Sequence, residues 1–304
     1  MTKQKLEPGL DIACCTDPGP LRGENEDACA LPPRWADPAA LGTLLVVADG
    51  VGGVPGGAEA SREAVSYLQA LYYAPTGIDA PAERLNQAVQ AVNMLNRRAP
   101  GRKADNERLT TLVAAVIRGG ELWVANVGDS RAYLCRAGRK PARQLTQDHT
   151  GAQSHAITQA IGLEDECQVD LYRYVWERGN ALVLCSDGLA AVPPREMSDL
   201  AVSLPAQEAA AALVQQANTL DGSDNATAIV ARWVVARPRQ RRRPPPQAVR
   251  PGPRDTLPAR AEAVHRSRRP RGRLGLGLFL GLLIGWLTAA LLVYAAVAGY
   301  IPGF

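Results

Sequence analysis

Residues 43–53 read TLLVVADGVGG, an apolar run that ends in an aspartate followed by glycine. The run predicts a buried strand, and Asp49 falls at its end. The same arrangement recurs at residues 181–188, ALVLCSDG, where Asp187 follows the apolar run. Carboxylates at the ends of buried strands are costly to desolvate unless a cation pairs with them.

Two further aspartates extend this pattern. Asp129 follows the run LWVANV in the sequence GDSR, and Asp224 precedes the run ATAIVARW. Any single Asp-Gly pair is more often an ordinary turn. Four such positions, together with an acidic run, predict instead an all-oxygen site for Mg²⁺ or Mn²⁺ rather than Zn²⁺. The acidic run consists of Glu24, Glu26 and Asp27.

The rest of the first 236 residues is rich in predicted strands. Apolar, β-branched runs predict strands at residues 10–15, 43–48, 112–117, 122–127, 131–135, 181–185 and 226–235. Helical periodicity predicts helices at 58–73, 82–97 and 206–220, the last two opened by Pro81 and Pro205. Because strands often follow one another through short turns, the pattern favours antiparallel sheets covered by helices over a doubly wound sheet.

Charge is distributed unevenly along the 304 residues. The chain has 34 Lys and Arg residues and 30 Asp and Glu residues. Residues 237–273 contain 13 Arg and two acidic residues, a net charge of +11. Residues 274–304 contain no charged side chain. Residues 1–236 therefore carry 21 basic and 28 acidic residues, a net of −7. An acidic body argues against nucleic-acid binding, which needs a basic face. We expect a globular domain at 1–236, an Arg/Pro-rich linker at 237–273, a transmembrane helix at 274–299 and a short tail at 300–304.

The transmembrane prediction depends on residues 274–299, a stretch of 26 residues without a charge. About 20 apolar residues span a bilayer, and a soluble helix of this length would show a polar stripe. The preceding arginines place the large domain in the cytoplasm, on the inner side of a single-pass membrane protein. The arginines would also attract anionic membrane lipid. A nuclear or nucleic-acid signal is the competing interpretation of the RQRRR run, and it is weaker than the membrane interpretation.

Gly277, Gly281 and Gly285 repeat every four residues in this stretch. Such a face allows a homodimer in the membrane, but glycine is also frequent in single transmembrane helices, and the sequence supports the two explanations equally. The six cysteines form no CxxC pair and no metal-ligand spacing, and residues 1–17 lack the apolar run of a secretory signal. We therefore expect the body to lie in a reducing cytosol.

Residues 8–236 resemble the metal-dependent type 2C Ser/Thr protein phosphatases, the PPM family, through eight motifs in the family's order. The motifs are TDPGPLRGENEDA (16–28), VVADGVGG (46–53), TTLVAAVI (110–117), VANVGDSRAYL (124–134), LTQDHT (145–150), ITQAIG (157–162), LVLCSDGL (182–189) and SDNATAIVA (223–231). The resemblance implies an α+β fold, a four-layer α-β-β-α sandwich of two antiparallel sheets with metals at one end. It also implies phosphorylated proteins, made by a Ser/Thr kinase, as substrates.

The resemblance assigns a metal role to several residues. Asp49 would bridge two Mn²⁺ or Mg²⁺ ions, with the carbonyl of Gly50 as a further ligand of one. Asp187 and Asp224 would complete the shell of the other ion. Asp129 would help to hold a third, weaker ion.

Four further residues receive roles from the resemblance. Glu26 and Asp27 would act through metal-bound waters or as partners of the ligands. Arg22 would bind the substrate phosphate, for which a guanidinium fork is suited. Asn225 would orient Asp224. The implied reaction is attack of a metal-activated water on phosphoserine or phosphothreonine, without a covalent intermediate.

Two departures from the family separate this chain from many of its members. The first is Val51, which stands where many eukaryotic members have a histidine proposed as general acid. The second is the short connection of residues 151–156 between LTQDHT and ITQAIG, where most bacterial relatives carry a longer flap. His149 is expected to be a structural residue. Two other hypotheses stay open from the sequence: a non-catalytic module that recognises phosphorylated partners at the membrane, and a phosphatase for small phosphate esters.

Overall fold

Two five-stranded antiparallel sheets face each other in the computed structural model, which describes residues 9–100, 102–103, 107–138, 140–151 and 156–233. The predicted linker, transmembrane helix and tail, with Gly277, Gly281 and Gly285, lie outside these residues. Within the described ranges, no helix is long and apolar enough to cross a membrane.

The first two strands of the chain each lie at one edge of a sheet. In the first sheet the order is β1-β10-β9-β6-β7, with bounds Leu10–Asp17, Ala226–Trp233, Ala181–Cys185, Arg131–Cys135 and Arg143–Gln144. In the second the order is β2-β3-β4-β5-β8, with bounds Asp27–Ala30, Thr43–Asp49, Leu112–Arg118, Glu121–Val127 and Asp170–Val175. All neighbouring strands pair antiparallel.

Helices cover the outer face of each sheet. A short helix α1 spans Pro38–Leu41, α2 spans Gly57–Tyr73, α3 spans Pro81–Arg97, α4 spans Pro194–Ser203 and α5 spans Ala206–Leu220. Helices α2 and α3 pack on the second sheet, and α4 and α5 pack on the first. A 3₁₀ turn, Asp187–Leu189, follows β9.

Three apolar layers hold the sandwich together. Leu45 and Val47 of β3 meet Leu184 and Ile229 of the opposite sheet in the layer between the sheets. Because successive side chains of a strand alternate between its faces, Leu44, Val46 and Ala48 of the same strand point outward and pack against α2 and α3. A third layer joins α4 and α5 to the first sheet. The fold is therefore the four-layer α-β-β-α sandwich that the resemblance implied.

The predicted seven strands and three helices are present, but five elements were missed. These are β2, β7, β8, α1 and α4. Strand β8 alternates between exposed and partly buried residues at the open edge of its sheet, so it lacks the apolar run that identified the other strands. Strands β2 and β7 and helix α1 have four residues or fewer, too short for any periodicity to appear. Pro205 precedes α5 instead of standing in its first turn.

Candidate metal centre and active site

The structure brings the predicted aspartates together where the strands of the two sheets end. Asp27, the first residue of β2, lies directly opposite Asp49, the last residue of β3. Asp187 begins the 3₁₀ turn after β9, and its carboxyl group, like that of Asp27, contacts the carboxyl group of Asp49. The charges of Asp129 and Asp224 also act on Asp49. Residues separated by up to 197 positions in the chain therefore form one acidic cluster.

Four of the aspartates in this cluster have raised pKa values. Burial, followed by the charges of neighbouring aspartates, raises the pKa of Asp49 well above its ordinary value. Burial also raises the pKa of Asp27 to about 6, and burial together with the charge of Asp187 raises the pKa of Asp129 to about 6. The pKa of Asp187 rises for the same reasons, burial first and the charge of Asp224 second. A bound cation would remove this repulsion and allow the group to ionise.

Two buried oxygens of the cluster accept no hydrogen bond from the described residues. They are Oδ1 of Asp27 and Oδ1 of Asp129, whose residues are only 6% and 8% exposed. A buried carboxylate oxygen without a donor is costly, and a hard cation or its water shell would satisfy it. The donor set therefore fits Mn²⁺ or Mg²⁺. Among the described residues, no three Asp, Glu, His or Cys side chains are placed to hold one ion by themselves, so main-chain oxygen and water would have to complete a shell.

Hydroxyl groups that the sequence analysis missed support the cluster from behind. Ser186 donates a hydrogen bond of 2.7 Å to Oδ2 of Asp27 and accepts one from the N–H of Thr227. The main-chain N–H of Asp49 donates to the hydroxyl of Thr111 at 3.0 Å, and that hydroxyl pairs with the hydroxyl of Ser130 at 2.7 Å. Each of these residues stands in one of the eight motifs, which is the signal that could have found them.

Glycines allow the loops around the cluster to approach one another. A Cβ atom at Gly50 would lie 2.4 Å from the main-chain carbonyl of Gly57, and the N–H of Gly50 donates to the carbonyl of Glu26 at 3.0 Å. A Cβ atom at Gly188 would lie 2.0 Å from the carbonyl oxygen of Asn225. Side chains at either glycine would force apart the segments that carry the acidic residues.

Arg22 is the cation at the open side of the cluster. Its Nη2 lies 2.8 Å from Oδ2 of Asp224, and its Nε donates to the carbonyl of Ser223 at 3.1 Å. The side chain of Arg22 is 39% exposed, so one face of the guanidinium remains accessible from solvent. The structure thus places the predicted phosphate-binding residue beside a predicted metal ligand, with Asp224 as its present partner.

The sequence predicts that Asn225 orients Asp224, and its main chain contacts that carboxylate. Its main-chain N–H donates to Oδ1 of Asp224 at 2.8 Å. Its side-chain amide instead donates to the carbonyls of Pro18 and Glu24 and accepts the N–H of Glu26 at 2.9 Å. The side chain therefore fixes the acidic run, and the pKa of Glu26 is raised there by burial first and by Glu24 second.

His149 lies behind the Gly128–Asp129 turn, where a structural role was expected. The N–H of Gly128 donates to its Nδ1 at 3.2 Å, and its Nε2 lies 3.2 Å from the carboxylate of Asp170. Arg131, although near Asp129 in sequence, forms its ion pair with Asp148, at 2.6 Å. Neither side chain therefore forms an ion pair within the acidic cluster, although the charge of Arg131 still acts on Asp129 and Asp187.

The short connection beside the site is closed at its base. Thr150 and Ile157 form an antiparallel bridge, and the N–H of Gly151 donates to the carbonyl of Ala156 at 3.0 Å. Residues 152–155, including His155, lie outside the described residues.

Comparison with known proteins agrees with this fold. The family model described as "Protein phosphatase 2C" matches residues 23–234. The serine/threonine phosphatase Stp of Listeria welshimeri is 33% identical over 239 residues, covering 71% of this chain and 92% of its own. PppA of Pseudomonas aeruginosa, described as a key regulatory component of the T6SS, matches with a TM-score of 0.62 and 27% identity, over 73% of this chain and 97% of its own.

A further solved structure contains the expected metal. It is the catalytic domain of the serine/threonine protein phosphatase PstP in complex with two manganese ions, with a TM-score of 0.61 and 29% identity over 74% of this chain and 99% of that one. The family match covers more than half of the chain, and its boundaries include every residue of the acidic cluster. The chain therefore belongs to the protein phosphatase 2C family and is a protein phosphatase of the serine/threonine class.

Proposed function

We propose that the protein hydrolyses phosphoserine and phosphothreonine in other proteins at the acidic cluster, with Mn²⁺ or Mg²⁺ as its cofactor. The observation that carries the proposal is the cluster itself: aspartates with raised pKa values, two of them with unpartnered buried oxygens, beside the accessible guanidinium of Arg22. No other arrangement of buried charge in the described residues combines these features.

Each predicted ligand receives a role in this proposal. Asp49 and the carbonyl of Gly50 would hold two core ions together with Asp187 and Asp224, and Asp129 would help to hold a third. Asp27 and Glu26 would act through water or as partners of the ligands. Ser186 donates to the carboxylate of Asp27, and Asn225 accepts the main-chain N–H of Glu26. When bound, two such ions lower the pKa of a shared water and neutralise charge on the phosphoryl group.

Arg22 would bind the phosphate oxygens of the substrate. Its ion pair with Asp224 keeps the guanidinium at the rim of the cluster, with the plane of the fork held by the carbonyl of Ser223. A planar fork can share a phosphate and a neighbouring carboxylate. Val51 offers no proton to the leaving oxygen, so water would supply it.

The protein would act at the inner membrane, anchored by residues 274–299, with its catalytic domain in the cytoplasm. The support is the charge-free stretch and the arginines that precede it. Alkaline carbonate extraction of cell membranes tests the anchor: we expect the full chain in the pellet, and a chain that is extracted into the supernatant would contradict it.

Pull-down between two differently tagged copies tests whether two chains dimerise through Gly277, Gly281 and Gly285, with Gly281→Leu as the variant that should abolish dimerisation.

The substrate class is tested by comparing three substrates with one preparation of the full chain and Mn²⁺. These are a phosphothreonine peptide, the same peptide with phosphotyrosine, and a small phosphate ester. We expect kcat/KM to be at least about tenfold higher for the phosphothreonine peptide, a difference of about 1.4 kcal/mol. Equal values for peptide and small ester would favour a phosphatase of small esters, and binding of the peptide without turnover would favour a recognition module.

A further inference from the structure

Cys14 and Cys29 lie on the facing edges of the two sheets. Strand β1 is an edge of the first sheet, β2 is an edge of the second, and the two strands contact each other. Cys14 stands opposite Ile229 in the strand register, and Cys29 stands opposite Val47. Cross-strand partners point to the same face, and Ile229 and Val47 both belong to the layer between the sheets. The two thiols therefore point into the same gap from opposite sides.

The packing confirms that the thiols share this gap. Both cysteines contact the apolar layer between the sheets, and their side chains are within hydrogen-bonding reach of each other. Both are only partly buried, because the two edges meet at the surface of the sandwich. Such a pair needs little movement to form a sulfur–sulfur bond.

The other four cysteines, all of them among the described residues, are placed differently. Cys15 follows Cys14 directly but packs on the opposite face of its sheet, against the layer under α4 and α5. Cys135, Cys167 and Cys185 are buried, and burial raises the pKa of their thiols to about 12, 11 and 12. Buried neutral thiols of this kind are inert.

We propose that Cys14 and Cys29 are a reversible oxidation site that closes to a disulfide when the protein meets a peroxide. The sulfur of Cys14 attacks one oxygen of hydrogen peroxide, the O–O bond breaks, and a sulfenic acid and hydroxide result. The sulfur of Cys29 then displaces the hydroxyl group of the sulfenic acid and forms the S–S bond. Two thiols and one hydrogen peroxide thus give one disulfide and two waters, with both sulfurs oxidised and both peroxide oxygens reduced.

The surroundings also favour Cys14 as the sulfur that reacts first. The hydrogen bond from Cys29 lowers the pKa of Cys14 to about 7, against the opposing effect of burial. A lowered pKa increases the ionised fraction of this thiol, and the thiolate is the form that attacks peroxides. The proposal is independent of the phosphatase reaction, because neither sulfur belongs to the acidic cluster.

The test uses the full chain, treated with a small excess of hydrogen peroxide, alkylated and mapped by mass spectrometry. We expect the number of free thiols to fall from six to four, a loss of about 2 Da, a peptide that joins Cys14 to Cys29, and full reversal by dithiothreitol. The proposal is overturned if all six thiols survive a dose that oxidises glutathione in the same tube, or if the peptide map joins Cys15 instead.

Three variants sharpen the assignment, each checked for folding by circular dichroism. Cys15→Ser, one residue away but on the opposite face, should oxidise like the wild type. After peroxide treatment, the five remaining thiols of Cys14→Ser should still be free. Cys29→Ser should accumulate a sulfenic acid on Cys14, which dimedone labels. Disulfide formation that survives in Cys14→Ser would assign the reaction to other sulfurs and contradict the proposal. If a variant fails to fold, the map of the wild type still decides.

Discussion

At the scale of single residues, the site is built from groups whose surroundings differ although their chemistry is the same. Asp27 and Asp129 are buried with one unpartnered oxygen each, whereas Asp224 is partly exposed and paired with Arg22. The sequence identified Asp129 because it follows an apolar run, Asp224 because it precedes one, and Asp27 as a member of the acidic run. It did not identify Ser186, whose hydroxyl donates to the carboxylate of Asp27, or Thr111, whose hydroxyl accepts the main-chain N–H of Asp49. A single supporting hydroxyl group has no periodicity of its own.

Replacing Arg22 by lysine should weaken substrate binding more than the chemical step. Lysine keeps the charge but loses the planar fork that the carbonyl of Ser223 and the carboxylate of Asp224 hold in place. We expect KM for a phosphothreonine peptide to rise about tenfold, equivalent to about 1.4 kcal/mol, with a smaller change in kcat. Steady-state kinetics with Mn²⁺ measures both constants.

Arg62→Lys is the matched control, because Arg62 is also an exposed arginine near the acidic run, 3.6 Å from Glu24. It should leave KM within about twofold, as most exposed ion pairs contribute little. An unchanged KM in the Arg22 variant would remove Arg22 from the phosphate site.

At the scale of elements, the acidic cluster depends on how closely the segments at the strand ends approach one another. The seven strands that the sequence predicted are those buried on both faces or long enough to show a clear apolar run. The acidic run was recognised, but strand β2, which pairs Asp27 with Asp49, was not. Its four residues acquire strand geometry only from pairing with β3, a tertiary effect that no local pattern contains.

Gly188→Ala should damage both the fold and the site. The added Cβ would lie 2.0 Å from the carbonyl oxygen of Asn225, so the 3₁₀ turn that carries Asp187 would have to move away from the start of β10. Overpacking of this kind costs about 1–3 kcal/mol, and we expect a lower Tm together with a loss of activity of at least about tenfold. Thermal unfolding and phosphate release measure the two effects.

Gly23→Ala is the control for this substitution, because nothing lies within 4 Å of a Cβ atom at Gly23. It should leave Tm within about 2 °C. A Gly188→Ala protein as stable and as active as the control would show that the approach of the two segments is not needed.

At the scale of the whole molecule, the layer order could not be obtained from periodicity alone. The strand-rich pattern favoured antiparallel sheets with helices, but the assignment to four layers came from the resemblance of motifs such as ADGVGG and CSDGL to the family. The reason is physical: β1 pairs with β10 across more than 200 residues, and local patterns carry no information on such partners.

The pH dependence of stability should reveal the raised pKa of Asp129, which burial and the charge of Asp187 produce. In the metal-free protein the folded-state pKa of Asp129 lies near 6, above its ordinary value of 3.8. Asp129 then binds its proton more tightly in the folded state than in the unfolded state. Protonation of Asp129 therefore stabilises the fold below about pH 4, and this stabilisation is lost as the pH rises through about 6. With excess chelator, Asp129→Asn should therefore gain roughly 2 kcal/mol on the wild type between pH 4 and pH 7.

Urea unfolding at a series of pH values measures this difference. Asp165→Asn is the control, because the side chain of Asp165 is 94% exposed and lies outside the cluster, and it should show no such gain. Saturating Mn²⁺ should reverse the order of wild type and Asp129→Asn, since the cation favours the charged carboxylates. A parallel pH dependence of wild type and Asp129→Asn in chelator would show that the pKa of Asp129 is not raised in the folded protein.

The most direct test of the central claim is phosphate release from a phosphothreonine peptide by the full chain, measured with Mn²⁺, with excess chelator, and with Asp49→Asn. Asparagine preserves the shape of the side chain at the point where the carboxylates of Asp27 and Asp187 meet, but removes the charge that would bind the ions. We predict release with Mn²⁺, none with chelator, and a loss of at least about 1,000-fold in Asp49→Asn, equivalent to about 4 kcal/mol. Equal release by wild type and Asp49→Asn, or release that survives the chelator, would contradict the assignment of the acidic cluster as the metal-dependent catalytic site.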